Sequence, residues 1–154
     1  MNGGFRIITG KATDEMTRSM FVRARSSIQG IWSLKRTKRF GLIQPFIHSV
    51  KDGVKAEVIC QMTSKNVREV KEILRVAEVR HCDGAEYALR FTVVDGKEVN
   101  MQATPVDSGL EEGLSIWSDN QALIQTMVST FKILWRNSMR SESRLLELSS
   151  EIRV

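Results

Sequence analysis

Histidine is nearly absent from this chain. His48 and His81 are the only imidazoles in 154 residues. Any mechanism that needs a group titrating near neutrality therefore has two candidates at most. Cysteine is equally scarce. Cys60 and Cys82 stand far apart and match no metal-ligand spacing, which excludes a zinc cluster and a disulfide framework. They read as reduced thiols of a cytoplasmic protein. No apolar run approaches the roughly 18 residues of a membrane span. The opening "MNGGFRIITGK" has no small-residue cleavage site, so no signal peptide is expected. Repeats and low-complexity tracts are also missing.

What remains is an ordinary globular mix, 42% hydrophobic and 27% charged, of a length that fits one domain. The net charge of +5 comes from 23 basic and 18 acidic residues. It suits an anionic ligand or nucleic acid, and equally a soluble protein with neither.

Hydrophobic periodicity divides the chain. "FRIITG" (5–10) is a short apolar run closed by Gly, hence a strand. From Thr13 to Ser27, Met16, Met20 and Ala24 recur at helical spacing. "SIQGIWSL" reads as a second strand, and "KRTKR" (35–39) as a basic, solvated loop. Phe40, Ile43, Ile47 and Val50 share a helical face, with Pro45 in the first turn of the helix proper. "VKAEVIC" is a strand. Asn66 and Glu69 suggest a capped helix start, and "EVRH" a further short strand. "YALRFTVV" and "EVNMQAT" are strands joined at Asp95-Gly96, a type I′-like turn. "VDSGLEEG" is a loop and "LSIWS" a last strand. Ser118, with Gln121, is expected to cap a long helix carrying Ile124, Met127, Phe131, Leu134 and Trp135. That apolar face, with Met139, reads as core and in part as a possible dimer seam.

Arg90 alternates with Leu89 and Phe91, so it should leave the sheet on the opposite face. If that face is covered too, Arg90 needs a partner there. Asp95 is the natural one. The pair either ties the hairpin or holds an Arg fork toward an anion or a hydroxyl-rich ligand. Asp95 by itself is also simple turn chemistry. Trp117 and Ser118, like Trp32 and Ser33, fall where a strand ends. They read first as core Trp and cap Ser, and alternatively as a stacking surface beside a ligand.

The order of elements resembles one half of the phospholipase D-like fold. That family carries His-x-Lys-x4-Asp. Laid on this chain, its His falls on Ala88, its Lys on Arg90 and its Asp on Asp95. "FRIITGKATDEMTRSMFVRARSSIQ", "EVRHCDGAEYALRFTVVDGKEVNM" and "GLSIWSDNQALIQTMVSTFKILWRNS" are similar to the effector-binding domain of the archaeal TrmB-like regulators, itself phospholipase D-like. The resemblance implies a single α/β half-domain over residues 1–140. Its sheet is mixed and mostly parallel, with helices on both faces and a long C-terminal helix. Residues 141–154 are a helical extension or frayed tail. The first expected strand lies close to Met1, so the winged-helix module of those regulators is not expected here.

The attacking imidazole of that family is replaced by Ala88, so the resemblance implies a sensor and not an enzyme. A small-molecule effector (sugar, phosphate compound or organic acid) is expected at the C-terminal edge of the sheet. Arg90 would be its anchor, Asp95 the orienting partner, and Ser33, Arg80 and Trp117 the lining. No catalytic residue, metal or cofactor is expected. A homodimer, or a regulatory protein partner, would carry the output into transcription or signalling. Two rivals remain. One is a dimeric nuclease using an imidazole such as His81. The other is a nucleic-acid-binding module using residues 35–39.

Overall fold

The computed structural model describes residues 4–50, 53–85, 90–102 and 113–152. Strand β1 is Phe5–Thr9, followed by α1 (Ala12–Arg23), β2 (Ser27–Ile31), α2 (Leu34–Arg39), α3 (Ile43–Ser49) and β3 (Lys55–Cys60). Then come α4 (Val67–Leu74), β4 (Glu78–His81), β5 (Arg90–Val94), β6 (Glu98–Gln102) and β7 (Leu114–Ser118). The chain closes with α5 (Gln121–Arg136), β8 (Met139–Arg140) and α6 (Ser141–Ile152). No helix among the described residues is long and apolar enough to cross a membrane.

The strands form one sheet in the order β1-β7-β6-β5-β2-β3-β4-β8. It is mixed, as expected, but not mostly parallel. Among the described residues only β2–β3 and β3–β4 run parallel, and the other five pairings are antiparallel. The error has a physical source. Alternating helix and strand signals fix the crossovers of β2, β3 and β4, whereas β1 leaves the first crossover and pairs with β7 at the far edge. Both faces carry helices. Met20, Phe21, Leu34, Phe46, Val70, Ile73 and Leu148, from α1, α2, α3, α4 and α6, fill one face. Ile31, Ile59, Phe91, Val93 and Val99 meet Ile124, Met127 and Phe131 of α5 on the other.

Three local readings change. "KRTKR" is not a loop: it lies in α2, whose buried Leu34 and Thr37 turn it onto the core. The long C-terminal helix is capped by Asn120, whose Oδ1 accepts from the Leu123 amide at 3.0 Å, and not by Ser118. Ser118 ends β7 and its hydroxyl donates to the Gly4 carbonyl. Asn66 does not cap α4 either. Its side chain closes the preceding turn, accepting from the Thr63 amide and donating to the Gln61 carbonyl. In each case a side chain of capping type has a nearer backbone partner than the helix.

Candidate anion-binding site

Register decides where the motif residues go. Arg90 opens β5 opposite Gln102, and Asp95 lies beyond the other end of the same strand. Five residue steps along an extended strand put about 16 Å between them. The hairpin turn is type I′, with φ of 57° at Asp95 and 61° at Gly96, and the Lys97 amide donates to the Val94 carbonyl.

Asp95 is not Arg90's orienting partner. Its carboxylate accepts from the amides of Arg25, Ser26 and Ser27 and from the Ser26 hydroxyl, all at 2.7–3.1 Å. Partial burial pushes its pKa up, but the three amides and the hydroxyl outweigh burial and hold the carboxyl below its ordinary value. Asp95 therefore ties the hairpin to the turn between α1 and β2. Trp117 lies toward this same edge. Its indole donates to Glu98 at 3.0 Å, Glu98 takes a two-pronged contact from Arg23, and Arg6 stacks over the ring. Arg80 is elsewhere again. It donates to the Trp135 carbonyl at 2.7 Å and lies 4.5 Å from the Trp135 ring centroid, which in turn stacks on Phe131. The expected seam on α5 is thus mostly core, with Phe131 fully buried.

Two expected residues do come together. Phe91 and Val93 face α5, while Arg90, Thr92 and Val94 face α1. Arg90 is buried, at 5% exposure. It lines a cavity of about 50 Å³ with Ser33, Thr92, Trp32 and Gln102, at the edge where β2 ends. The fold shapes this corner deliberately. Gly30 leaves room for the Trp32 indole to fold back over the strand, where a Cβ would collide with it. The indole then donates to the Thr92 hydroxyl at 2.9 Å.

The residue missed from sequence is Arg36. As part of α2 it is carried over the cavity, beside Asp14 and Thr17 of α1. Desolvation lowers its pKa, neighbouring Arg39 adds like-charge repulsion, and Asp14 works against both. Among the described residues Arg36 makes no ion pair. Burial in turn pushes the Asp14 carboxyl up, against the pull of Arg18 and Arg36. Helix spacing around residue 36 could have found this, because Leu34 and Thr37 already mark an inward face.

Neither histidine reaches the cavity. His48 is exposed on α3. His81 is 3% exposed. Its Nδ1 accepts from the Met62 amide at 2.8 Å, which leaves the proton on Nε2, facing Asp83 at 2.8 Å. Both ring nitrogens are engaged. Cys60 and Cys82 are free thiols and pack toward opposite faces of the sheet. No cluster of metal-binding side chains occurs among the described residues. Ala88 and Leu89 lie outside the described residues.

No family model matches the sequence, and no curated protein matches it. Solved structures do. TrmBL2, an archaeal chromatin protein whose structure shows a novel mode of DNA binding, superimposes with a TM-score of 0.68 at 17% identity. The match covers 88% of this chain and 54% of TrmBL2, so the chain spans about half of that relative. Nuc from Salmonella typhimurium, a phospholipase D family member, gives 0.65 at 10% identity over 90% of this chain and 97% of Nuc. NucT from Helicobacter pylori gives 0.64 at 12% identity over 89% and 99%. The fold is phospholipase D-like. It is shared by a TrmB-like chromatin protein and by a phospholipase D family member, so fold alone does not set the activity.

Proposed function

We propose that this domain is a non-enzymatic sensor of a small anion or of the anionic end of a metabolite. The ligand would enter the corner where β2 and β5 meet α1 and α2. The observation that carries the reading is Arg36, a partly buried guanidinium with no ion pair among the described residues, lining one cavity with the buried Arg90. Two guanidiniums around Ser33 and Thr92 hydroxyls offer charge-assisted donors to a carboxylate or phosphate. The cavity volume of about 50 Å³ suits an oxyanion or a few waters. A whole sugar is several-fold too large for it, so the effector class narrows to its charged end. Of the lining expected from sequence, Ser33 and Arg90 stay in this reading, and Asp95, Arg80 and Trp117 leave it.

A phosphodiesterase reading needs a nucleophilic ring nitrogen aimed into the cavity. The two engaged nitrogens of His81 and the exposed position of His48 speak against it. The output would pass through self-association or a regulatory partner, in transcription or signalling. Exposed Phe5, Ile7 and Leu114, on one face of β1 and β7, offer an apolar surface for it.

The test is a thermal-shift screen with phosphate, sulfate, phosphorylated metabolites and organic acids at fixed ionic strength. A ligand that binds the folded state raises Tm. The expected hit loses its shift in Arg36→Gln and in Arg90→Gln. A hit that keeps its full shift in both variants places the site elsewhere.

A further inference from the structure

The two outer strands end the sheet differently. β8 is two residues long and runs straight into α6, the short kind of edge that resists unwanted pairing. β1 has five residues in unbroken register with β7 and, among the described residues, no strand on its outer side. Hydrogen bonds at its two ends show which groups that side presents. The Gly10 amide donates to the Gly113 carbonyl at 2.9 Å, and the Gly4 carbonyl accepts from the Ser118 hydroxyl. Gly4 and Gly10 thus point toward β7, and by alternation so do Arg6 and Ile8. The amides and carbonyls of Phe5, Ile7 and Thr9 therefore point outward. Such an edge is a template for another strand unless proline, a bulge or a covering element blunts it. β1 has neither proline nor bulge.

Side chains on both faces suit a strand laid there. On one face Phe5 and Ile7 are 59% and 76% exposed. On the other, β1 and α1 border a cleft of about 700 Å³ whose lining includes Arg6, Ile8, Ala12, Glu15 and Met16. Arg6 lies over the Trp117 ring and makes no ion pair among the described residues. Arg23, also at the cleft, is already held by Glu98. We propose that the β1 edge takes an extended segment of a partner protein as a further strand, antiparallel to β1. Its residues opposite Phe5, Ile7 and Thr9 are apolar, as is the one opposite Ile8, and the residue opposite Arg6 is acidic. Main-chain bonds supply the affinity of such an added strand and alternate side chains its specificity. A second copy of this chain fits less well. The self-pairing that engages all three outward residues centres on Ile7. It sets the two Arg6 side chains diagonally across the seam, like charges with Cβ atoms roughly 7 Å apart. This is the surface through which the output would pass, and its role rests on that reading. The binding itself needs no anion in the cavity.

Fluorescence anisotropy of the labelled peptide GSTVLVEVTSG, titrated with the full chain in buffer free of phosphate and sulfate, tests it. Laid antiparallel, the peptide presents valine to Thr9, Ile7 and Phe5, leucine to Ile8 and glutamate to Arg6. Saturable binding is expected, with slowed hydrogen exchange at the amides of Phe5, Ile7 and Thr9. Ile7→Pro removes an outward amide and no bond to β7. It should weaken binding about tenfold or more, the value of one lost main-chain hydrogen bond. Arg6→Glu should weaken binding of this peptide and strengthen binding of GSTVLVKVTSG, a charge exchange that can be read even if Ile7→Pro fails to fold. The assay contains no effector, so its failure leaves the anion screen standing, and the reverse. No binding at millimolar concentration would overturn the proposal. So would equal binding by a folded Ile7→Pro variant, binding that leaves the three amides unprotected, or no preference change in Arg6→Glu. A dimer of the free protein in sedimentation that Ile7→Pro dissolves would give the edge to a second copy and overturn it too.

Discussion

The two edges of the sheet treat charge in opposite ways. At the hairpin edge the two carboxylates, Asp95 and Glu98, are both satisfied. Asp95 is satisfied by three amides and a hydroxyl, and Glu98 by Arg23 and the Trp117 indole. At the edge where β2 ends, Arg36 lines a cavity with no ion pair among the described residues, and burial and Arg39 both disfavour its charge. One edge is built for stability and the other accepts a cost. Sites that hold charge ready for a ligand characteristically sacrifice stability in this way. Arg90 and Asp95, read as a pair in sequence, belong one to each edge.

Asp95 is where the two edges should differ most. Asp95→Ala should cost about 2 kcal/mol, because it removes the acceptor of three turn amides and puts Ala at a left-handed backbone angle. Asp95→Asn, which keeps one acceptor and tolerates that angle, should cost less than half as much. Urea unfolding of both variants measures this, and equal losses would show that the carboxylate charge, not its acceptor geometry, holds the turn.

Acid should act on the same edge. The folded-state pKa of Asp95 lies below its ordinary value. Its contribution is therefore fully present above the unfolded value near ~3.9 and is lost as pH falls through the lower folded value. Glu69 has the same sign, held down by its hydrogen bond with Lys38 against burial. Asp14, raised by burial, works the other way: its contribution is fully present below the unfolded value and is lost as pH rises through the higher folded value. Wild-type stability should thus drop between pH ~4 and pH ~2, and Asp95→Asn should show a shallower drop. Parallel curves for the two proteins would contradict this.

Smaller effects follow. Arg23→Gln breaks an ion pair in which Arg23 is 49% exposed, and should cost about 0.5 kcal/mol. Arg36→Gln, at the other edge, should be neutral or slightly stabilising without ligand, within about 0.5 kcal/mol. A loss above 1.5 kcal/mol in chemical denaturation would mean that Arg36 is a structural cation after all.

Much of this was legible in the sequence. Apolar periodicity located β1 to β7 and most helices, though not the two-residue β8, and Asp95-Gly96 announced its own turn type. Alternation put Arg90 on the face opposite Phe91. What was not legible depended on partners remote in sequence. β1 pairs with β7 across more than a hundred residues, so local pattern could not reveal an antiparallel majority. The spacing of Arg90 and Asp95 fits a catalytic motif, yet spacing along a strand is distance, and a straight β5 carries them apart. Arg80 and Trp117 end near partners of their own, Trp135 and Glu98. Arg36 was hidden because four basic residues in five look like solvent-exposed loop until Leu34 and Thr37 are seen to be buried.

A sensor of this kind must admit an anion to the cavity at the end of β2. Side-chain NMR of the arginine Nε–H groups during titration with inorganic phosphate, at constant ionic strength, reads it directly. The Arg36 and Arg90 signals and the Trp32 indole should shift along one saturable curve, while Arg23, sealed against Glu98, stays in place. Weak drifts of equal size across all arginines, with no saturation, would contradict it.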